Sequence, residues 1–191
     1  MERGDSADVR EGMEDYLTDI AATRLFLKKN FGGPEVVKAL RFRLETHLKD
    51  PTLDPLSNQV WAAYQRLPEL LEEPFSILDA GCMSGFLYHH LKKHKKDFTY
   101  VGMDRWPEAI EVAREYAPEV KFLVGDFLKD ELGSLYDYVV CSNIPFKGHE
   151  LSIAIAALVP CAKRKMILIS PNSEIDLLEW TPRGTRHTRY A

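Results

Sequence analysis

The sequence predicts a three-layer α/β fold with a mostly parallel sheet, preceded by a segment that is helical throughout. Three observations carry this. From Phe75 onward, β-forming stretches alternate with helical ones, the pattern of right-handed strand–helix–strand units. Between Phe75 and Phe86 the chain reads Phe-Ser-Ile-Leu-Asp-Ala-Gly-Cys-Met-Ser-Gly-Phe, a short apolar strand running through Asp79 into a turn with Gly81 and Gly85. A helix follows from about Ser84, and such a turn lets a ligand approach bare backbone amides at a helix start. Before Phe75, apolar residues recur at helical spacing.

The N-terminal part, residues 1–73, divides into helices. Met1 to Asp8 is polar and reads as frayed. Met13, Tyr16, Leu17, Ile20, Ala21 and Leu25 share one helical face within Val9–Asn30. Gly32-Gly33 ends that helix, and Pro34 opens a second that carries Val37, Leu40, Leu44 and Leu48. A third starts near Leu56, with Val60, Trp61 and Tyr64, and Pro68 is expected to break or kink it. Glu72-Glu73-Pro74 is the hinge into residues 74–191, the α/β domain. There the expected strands are Phe75–Ala80, Phe98–Met103, Val120–Val124, Tyr136–Ser142 and Lys165–Ser170. The expected helices are Ser84–Lys95, Pro107–Tyr116 and His149–Leu158, with a helical turn near Lys129–Leu132. In the tail, Ile175–Trp180 fits either a short helix or a strand, Thr181-Pro-Arg-Gly184 a turn, and Thr185–Tyr190 an extended segment.

Composition bounds the function. With 191 residues, 45% hydrophobic and 28% charged, the chain can bury a core of ordinary size. A net charge of -4 argues against a surface built wholly to grip nucleic acid. Cys82, Cys141 and Cys161 show neither CxxC spacing nor a partnering histidine cluster, so neither a disulfide framework nor a zinc site is indicated. The polar N-terminus is unlike a signal peptide, and the apolar run near 151–162 is short of the roughly 20 residues a membrane helix needs. A cytoplasmic protein with no metal and no membrane partner is the expectation.

The chemistry-bearing residues fall at strand ends. Asp79 ends the first strand, Asp104 the second, Asp126 follows the third and Asn143 the fourth. In such sheets ligands bind beyond the carboxyl ends of the strands. Asp104 follows Asp79 by 25 residues, the range in which an acid at the second strand's end meets ribose hydroxyls.

These pieces resemble the class I S-adenosylmethionine-dependent methyltransferases, a Rossmann-like family. The resemblance rests on Leu78-Asp-Ala-Gly-Cys-Met-Ser-Gly85, Tyr100-Val-Gly-Met-Asp104, Val124-Gly-Asp-Phe127 and Tyr136-Asp-Tyr-Val-Val-Cys-Ser-Asn143, and covers roughly Phe75 to Ser170. It implies a seven-stranded sheet with the helical N-terminus as a lid or an oligomerisation element, and S-adenosylmethionine as cofactor. It implies Gly81 and Gly85, with Cys82 and Ser84 between them, against the methionine part, and Asp79 organising its amino group. Asp104 would hold the ribose, Arg105 or Trp106 would flank the adenine, and Asp126 would accept from the adenine amino group with Phe127 beside it. Two features depart from the family. Met83 stands where glycine is common, and 21 residues after Ser170 are few for the usual closing strands and helix. A sheet lacking its last strands, a fragment, or an edge covered by another subunit, as in a homo-oligomer, are the readings this leaves open.

Asn143-Ile-Pro-Phe146 is similar to the Asn-(Ile/Leu)-Pro-(Tyr/Phe) motif of ribosomal RNA adenine dimethyltransferases and other amino-group methyltransferases. That likeness implies Asn143 accepting from a target amine and Phe146 stacking on it, so both are the catalytic candidates, with Asn143 also bordering the cofactor. The acidic balance disfavours a nucleic-acid acceptor. Two rivals remain: an NAD(P)-dependent oxidoreductase, for which Gly81-x-x-x-Gly85 is a poor fit to Gly-x-Gly-x-x-Gly, and a non-catalytic module that binds cofactor or a partner. Each site residue also has a plainer reading. Asp79 and Asp104 could cap the turn and helix that follow them, Asp126 could hold a turn, and Asn143-Ile-Pro-Phe could merely end a strand. His89 and His90 read as packing residues. His149 and His187 are the better proton acceptors, and Arg183, Arg186, His187 and Arg189 form a basic cluster.

Overall fold

The computed structural model describes residues 34–50, 55–130, 132–133, 135–142, 150–169, 175–181 and 184–190. Two helices come first, α1 (Pro34–Lys49) and α2 (Pro55–Leu70). Then follow β1 (Phe75–Ala80), α3 (Phe86–His94), β2 (Phe98–Asp104), α4 (Pro107–Tyr116), β3 (Lys121–Val124), β4 (Tyr136–Ser142) and α5 (Glu150–Leu158). A single 3-10 turn, Val159–Cys161, leads into β5 (Ala162–Ile169), and β6 (Ile175–Thr181) and β7 (Gly184–Tyr190) end the chain.

The strands form one sheet in the order β3-β2-β1-β4-β5-β6-β7. The first five are parallel, β6 pairs antiparallel with β5, and β7 pairs antiparallel with β6. Successive side chains of a strand point to opposite faces, so the sheet carries two cores. Ile77, Tyr100, Tyr138, Val140 and Ile167 face α1, α2, α3 and α4 in one cluster. Leu78, Met103, Val139, Cys141 and Met166 face α5 and the turn at Phe127 in the other. Leu40 and Leu44 of α1 and Leu67 of α2 are fully buried in the first cluster, so both helices pack on the α/β unit rather than stand apart from it. At the surface of that contact Arg41 Nη2 meets Glu115 Oε2 at 2.6 Å, and the Tyr116 hydroxyl donates to Glu45.

Three expectations change. Pro68 does not break α2, which runs on to Leu70. Proline has no amide, so the carbonyl of Tyr64, four residues back, loses its helical partner. The His90 side chain takes its place by hydrogen bonding to the Tyr64 backbone. The second change is at the sheet's end. The tail supplies two strands, because an antiparallel meander needs no crossover helix. Residues 170–174 separate β5 from β6, and Thr181 pairs with Gly184 across the last turn. The register sets Arg189 opposite Asp176 and Arg186 opposite Glu179. Third, the last parallel strand begins at Ala162 rather than Lys165. The expected helix over Val9–Asn30 lies outside the described residues. Among the described residues no helix is long and apolar enough to cross a membrane.

Candidate active site

The site is built at the carboxyl ends of β1, β2 and β4. The parallel register sets Asp79 level with Gly102 on β2 and Val140 on β4. Asp79 and Asp104 thus stand on neighbouring strand ends, and the charge of Asp104 is felt at Asp79. After β1 the backbone turns through three left-handed residues, Gly81 (φ 85°), Met83 (φ 49°) and Gly85 (φ 81°). Left-handed backbone explains why glycine would suit position 83, and methionine there carries a steric cost of about 1–2 kcal/mol. Gly102 leaves room for this turn to close on β2. A Cβ at Gly102 would meet Phe122 at 2.6 Å and Cys82 Sγ at 2.8 Å.

Four amides of the loop, those of Gly81, Cys82, Met83 and Gly85, are bonded within the protein, where the sequence reading expected bare ones. Gly81 and Cys82 donate to the Met103 carbonyl at 2.7 and 3.0 Å, and Gly85 donates to Cys82 at 2.9 Å. The Met83 amide donates to Asp104 Oδ2 at 2.9 Å. The turn satisfies these donors internally because it closes on the end of β2, which periodicity along the chain does not reveal.

Asp79 is 1% exposed. Its Oδ2 accepts from the Tyr100 hydroxyl at 2.5 Å, and its Oδ1 is buried with no partner. Burial pushes this carboxyl up to about 7; the Asp104 charge adds to the rise and the Tyr100 hydroxyl opposes it. Ser84 Oγ, at the start of α3, is likewise buried without a partner. A buried carboxylate oxygen with nothing to bind costs free energy unless a ligand donor completes it.

Asp104 holds the loop and the next helix together. One oxygen takes the Met83 amide, and the other takes the Trp106 amide at 3.0 Å. Each carboxylate oxygen has a second lone pair, so both can still accept from hydroxyls. Arg105 is exposed and Trp106 is half-buried beside it. Asp126 turns its carboxylate to its own turn: Oδ1 accepts from the Leu128 amide at 3.1 Å and Oδ2 lies 3.4 Å from Lys129 Nζ. Phe127 packs in the second core with Met103 and Leu78. Cys82 is buried beneath the loop, its thiol pushed well up by burial. Asn143, Phe146 and His149 lie outside the described residues, as does the His187 side chain. Ser142, the last residue of β4, is described and buried.

Sequence reasoning missed three residues. Tyr100 holds Asp79. Tyr64 reaches from α2 to the tip of β4, its hydroxyl 2.8 Å from Ser142 Oγ, and burial together with the Asp79 charge holds its proton firmly. Arg43, on α1, lies against Met83 and Phe86. All three read in sequence as ordinary positions of a strand or a helix face. Alternation does place Tyr100 on a buried face, but nothing local links Arg43 to a loop residue 40 positions on, or Tyr64 to a strand end 78 positions on. His89 and His90 are packing residues; burial lowers both imidazoles, His90 to about 4. Among the described residues no group of three His, Cys, Asp or Glu side chains could hold a metal ion.

A parallel sheet, a left-handed glycine loop between β1 and α3, and acids at the first two strand ends define a nucleotide-cofactor-binding α/β protein. Residues 77–163 match the model of a family described as a methyltransferase domain. Over that stretch the chain is similar to the class I S-adenosylmethionine-dependent methyltransferases. A protein of Invertebrate iridescent virus 6, named as a methyltransferase, is 31% identical over 65 residues, 34% of this chain and 24% of the viral one. The chain thus spans about a quarter of that relative's length. Among solved structures, a TehB-like SAM-dependent methyltransferase from Corynebacterium glutamicum is 18% identical with a TM-score of 0.57, covering 71% of this chain and 73% of that one. The PH0226 protein of Pyrococcus horikoshii is 19% identical with a TM-score of 0.54, covering 72% and 76%. At these identities the two structures speak to the fold.

Proposed function

We propose that this chain is a cytoplasmic enzyme that transfers the methyl group of S-adenosylmethionine to an acceptor, with an amine nitrogen the favoured acceptor. The observation that carries the reading is Asp79 Oδ1, a buried, unpartnered carboxylate oxygen at the glycine loop. The residues fit the cofactor. Asp79 would take the amino group of its methionine end, the loop from Gly81 to Gly85 with Cys82 and Ser84 would bed that end, and Asp104 would accept from the ribose hydroxyls. Arg105 and Trp106 would flank the adenine, and Asp126, its amide already held by Asp130, has lone pairs left for an exocyclic amine. When bound, the cofactor supplies a methyl already activated by a positively charged sulfur.

The protein's own task is to place the acceptor and exclude water. Asn143 would accept hydrogen bonds from the amine and turn its lone pair toward the methyl, with Phe146 stacked on the acceptor's plane. Asn143 follows directly on β4, whose tip Tyr64 anchors through Ser142. The bound cofactor would supply its methyl to the nitrogen that Asn143 holds, its sulfur retaining the electron pair of the bond given up. The amine's proton then leaves to solvent.

Calorimetric titration with S-adenosylhomocysteine and with NADH tests this reading against the oxidoreductase. Binding of the first alone is expected; binding of NADH alone would overturn it. Asn143→Ala should lose turnover, and undiminished turnover on an amine acceptor would remove Asn143 from the site.

A further inference from the structure

Gly102 is the empty place in a row that crosses three strands. The register sets it level with Asp79 of β1 on one side and with Phe122 of β3 on the other. Glycine inside a strand weakens it, and where it stands it marks the close approach of another group. Two groups approach here. A Cβ at Gly102 would meet the Phe122 ring at 2.6 and 2.8 Å and Cys82 Sγ, from the glycine loop, at 2.8 Å. A Cβ at Gly85, where the loop enters α3 at φ 81°, would meet the same ring at 3.1 and 3.3 Å. The ring thus fills the space that two glycines leave between β2 and the loop, as an aromatic side chain across from a strand glycine can. Phe122 is held at this spot. It is buried on an edge strand whose ends, Lys121 and Val124, are exposed. Arg114 Nη2 donates to its carbonyl at 2.7 Å and ties it to α4. Its ring meets that of Tyr100 edge-on, 6.0 Å between centroids, and the Tyr100 hydroxyl in turn donates to Asp79. One side chain therefore supports both the end of the loop and the residue that orients Asp79.

We propose that Phe122 is a positioning residue: its ring, seated in the gap of Gly102 and Gly85, sets how far the glycine loop stands from β2, and through that the affinity of the loop for the cofactor. This rests on the cofactor reading above. It goes beyond that reading in making β3, the edge strand, part of what shapes the site. Phe122 acts through the loop and Tyr100 rather than on the ligand. Interiors are close-packed, so a loop resting on a ring moves when the ring is removed.

The test is calorimetric titration of the full chain with S-adenosylhomocysteine, well below the melting temperature of each variant. Phe122→Val removes the ring and should weaken binding by about 10-fold, the effect of a binding loop displaced by a fraction of an ångström. Gly102→Ala should weaken it to a similar extent, because its methyl and the ring claim one space. Combined, the methyl takes what the ring vacates, and the Cys82 thiol has room to turn aside. The double variant should therefore bind within about threefold of the wild type, a rescue that two independent defects do not give. Melting curves report folding, and Phe122→Leu, the milder change, carries the same comparison if Phe122→Val does not fold. A lowered melting temperature with unchanged affinity in the Phe122 variants would make the ring a core residue only and overturn the proposal. Equal weakening by Gly102→Ala with and without the ring would overturn it too. In both cases the cofactor reading stands. If the wild type does not bind S-adenosylhomocysteine, that reading falls and the proposal with it.

Discussion

Asp79→Asn, studied in the ligand-free protein, isolates the carboxyl at the centre of the site. Asp79 ordinarily would titrate near 3.8 in an unfolded chain and is pushed up to about 7 in the folded one, first by burial. Between those values the folded protein holds a proton that the unfolded chain has lost. The neutral carboxyl's contribution is therefore fully present at low pH and is lost as pH rises through about 7, the reverse of an ion-paired aspartate. Each pKa unit is worth about 1.4 kcal/mol, so the loss between the two limits is on the order of 4 kcal/mol. Asparagine keeps the shape, can still accept from the Tyr100 hydroxyl, and does not titrate. The asparagine variant should thus gain on the wild type by about 3 kcal/mol between pH 4.5 and 8.5, a growing gap of about 6–12 °C in melting temperature for a chain this size. Urea unfolding of both proteins across that range is the assay, and comparing them cancels the other titrating groups. A stability gap that stays constant with pH would refute the idea that Asp79 is buried and unpaired. In the same variant, loss of the carboxylate should weaken S-adenosylhomocysteine by about 10- to 100-fold at pH 8.

Two further changes probe the frame around the site. Gly102→Ala puts a methyl 2.6 Å from Phe122 and 2.8 Å from Cys82 Sγ, and overpacking of this kind should cost about 1–3 kcal/mol while distorting the glycine loop; unaltered urea unfolding would contradict the packing described. Leu44→Ala empties a fully buried position of α1 and should cost about 2–5 kcal/mol in a single cooperative transition; a separate, earlier transition for the N-terminal helices would show that α1 does not share the core.

Much of the frame was legible along the chain. Periodicity and punctuation placed β1, β4, α4 and α1 within a residue or two, because a buried strand and an amphipathic helix leave their period in local sequence. The two-sided reading of the tail was decided by pairing instead. Ile175–Thr181 is a strand because β5 offers it an edge, and no local pattern announces that edge. Pro68 misled for a similar reason: its cost to α2 is met by His90, a partner from another helix.

At the site, the sequence alone determined which acids end which strands and that a glycine turn lies between β1 and α3, since both follow from the order of residues. Only the tertiary structure decided what those groups have left to offer. It closed the loop amides on Met103 and Asp104, left Asp79 Oδ1 and Ser84 Oγ unpartnered, and carried Arg43 and Tyr64 from distant helices to the same place. The physical reason is that hydrogen-bond satisfaction and burial are settled between segments far apart in the chain, whereas strand and helix periods are written within each segment.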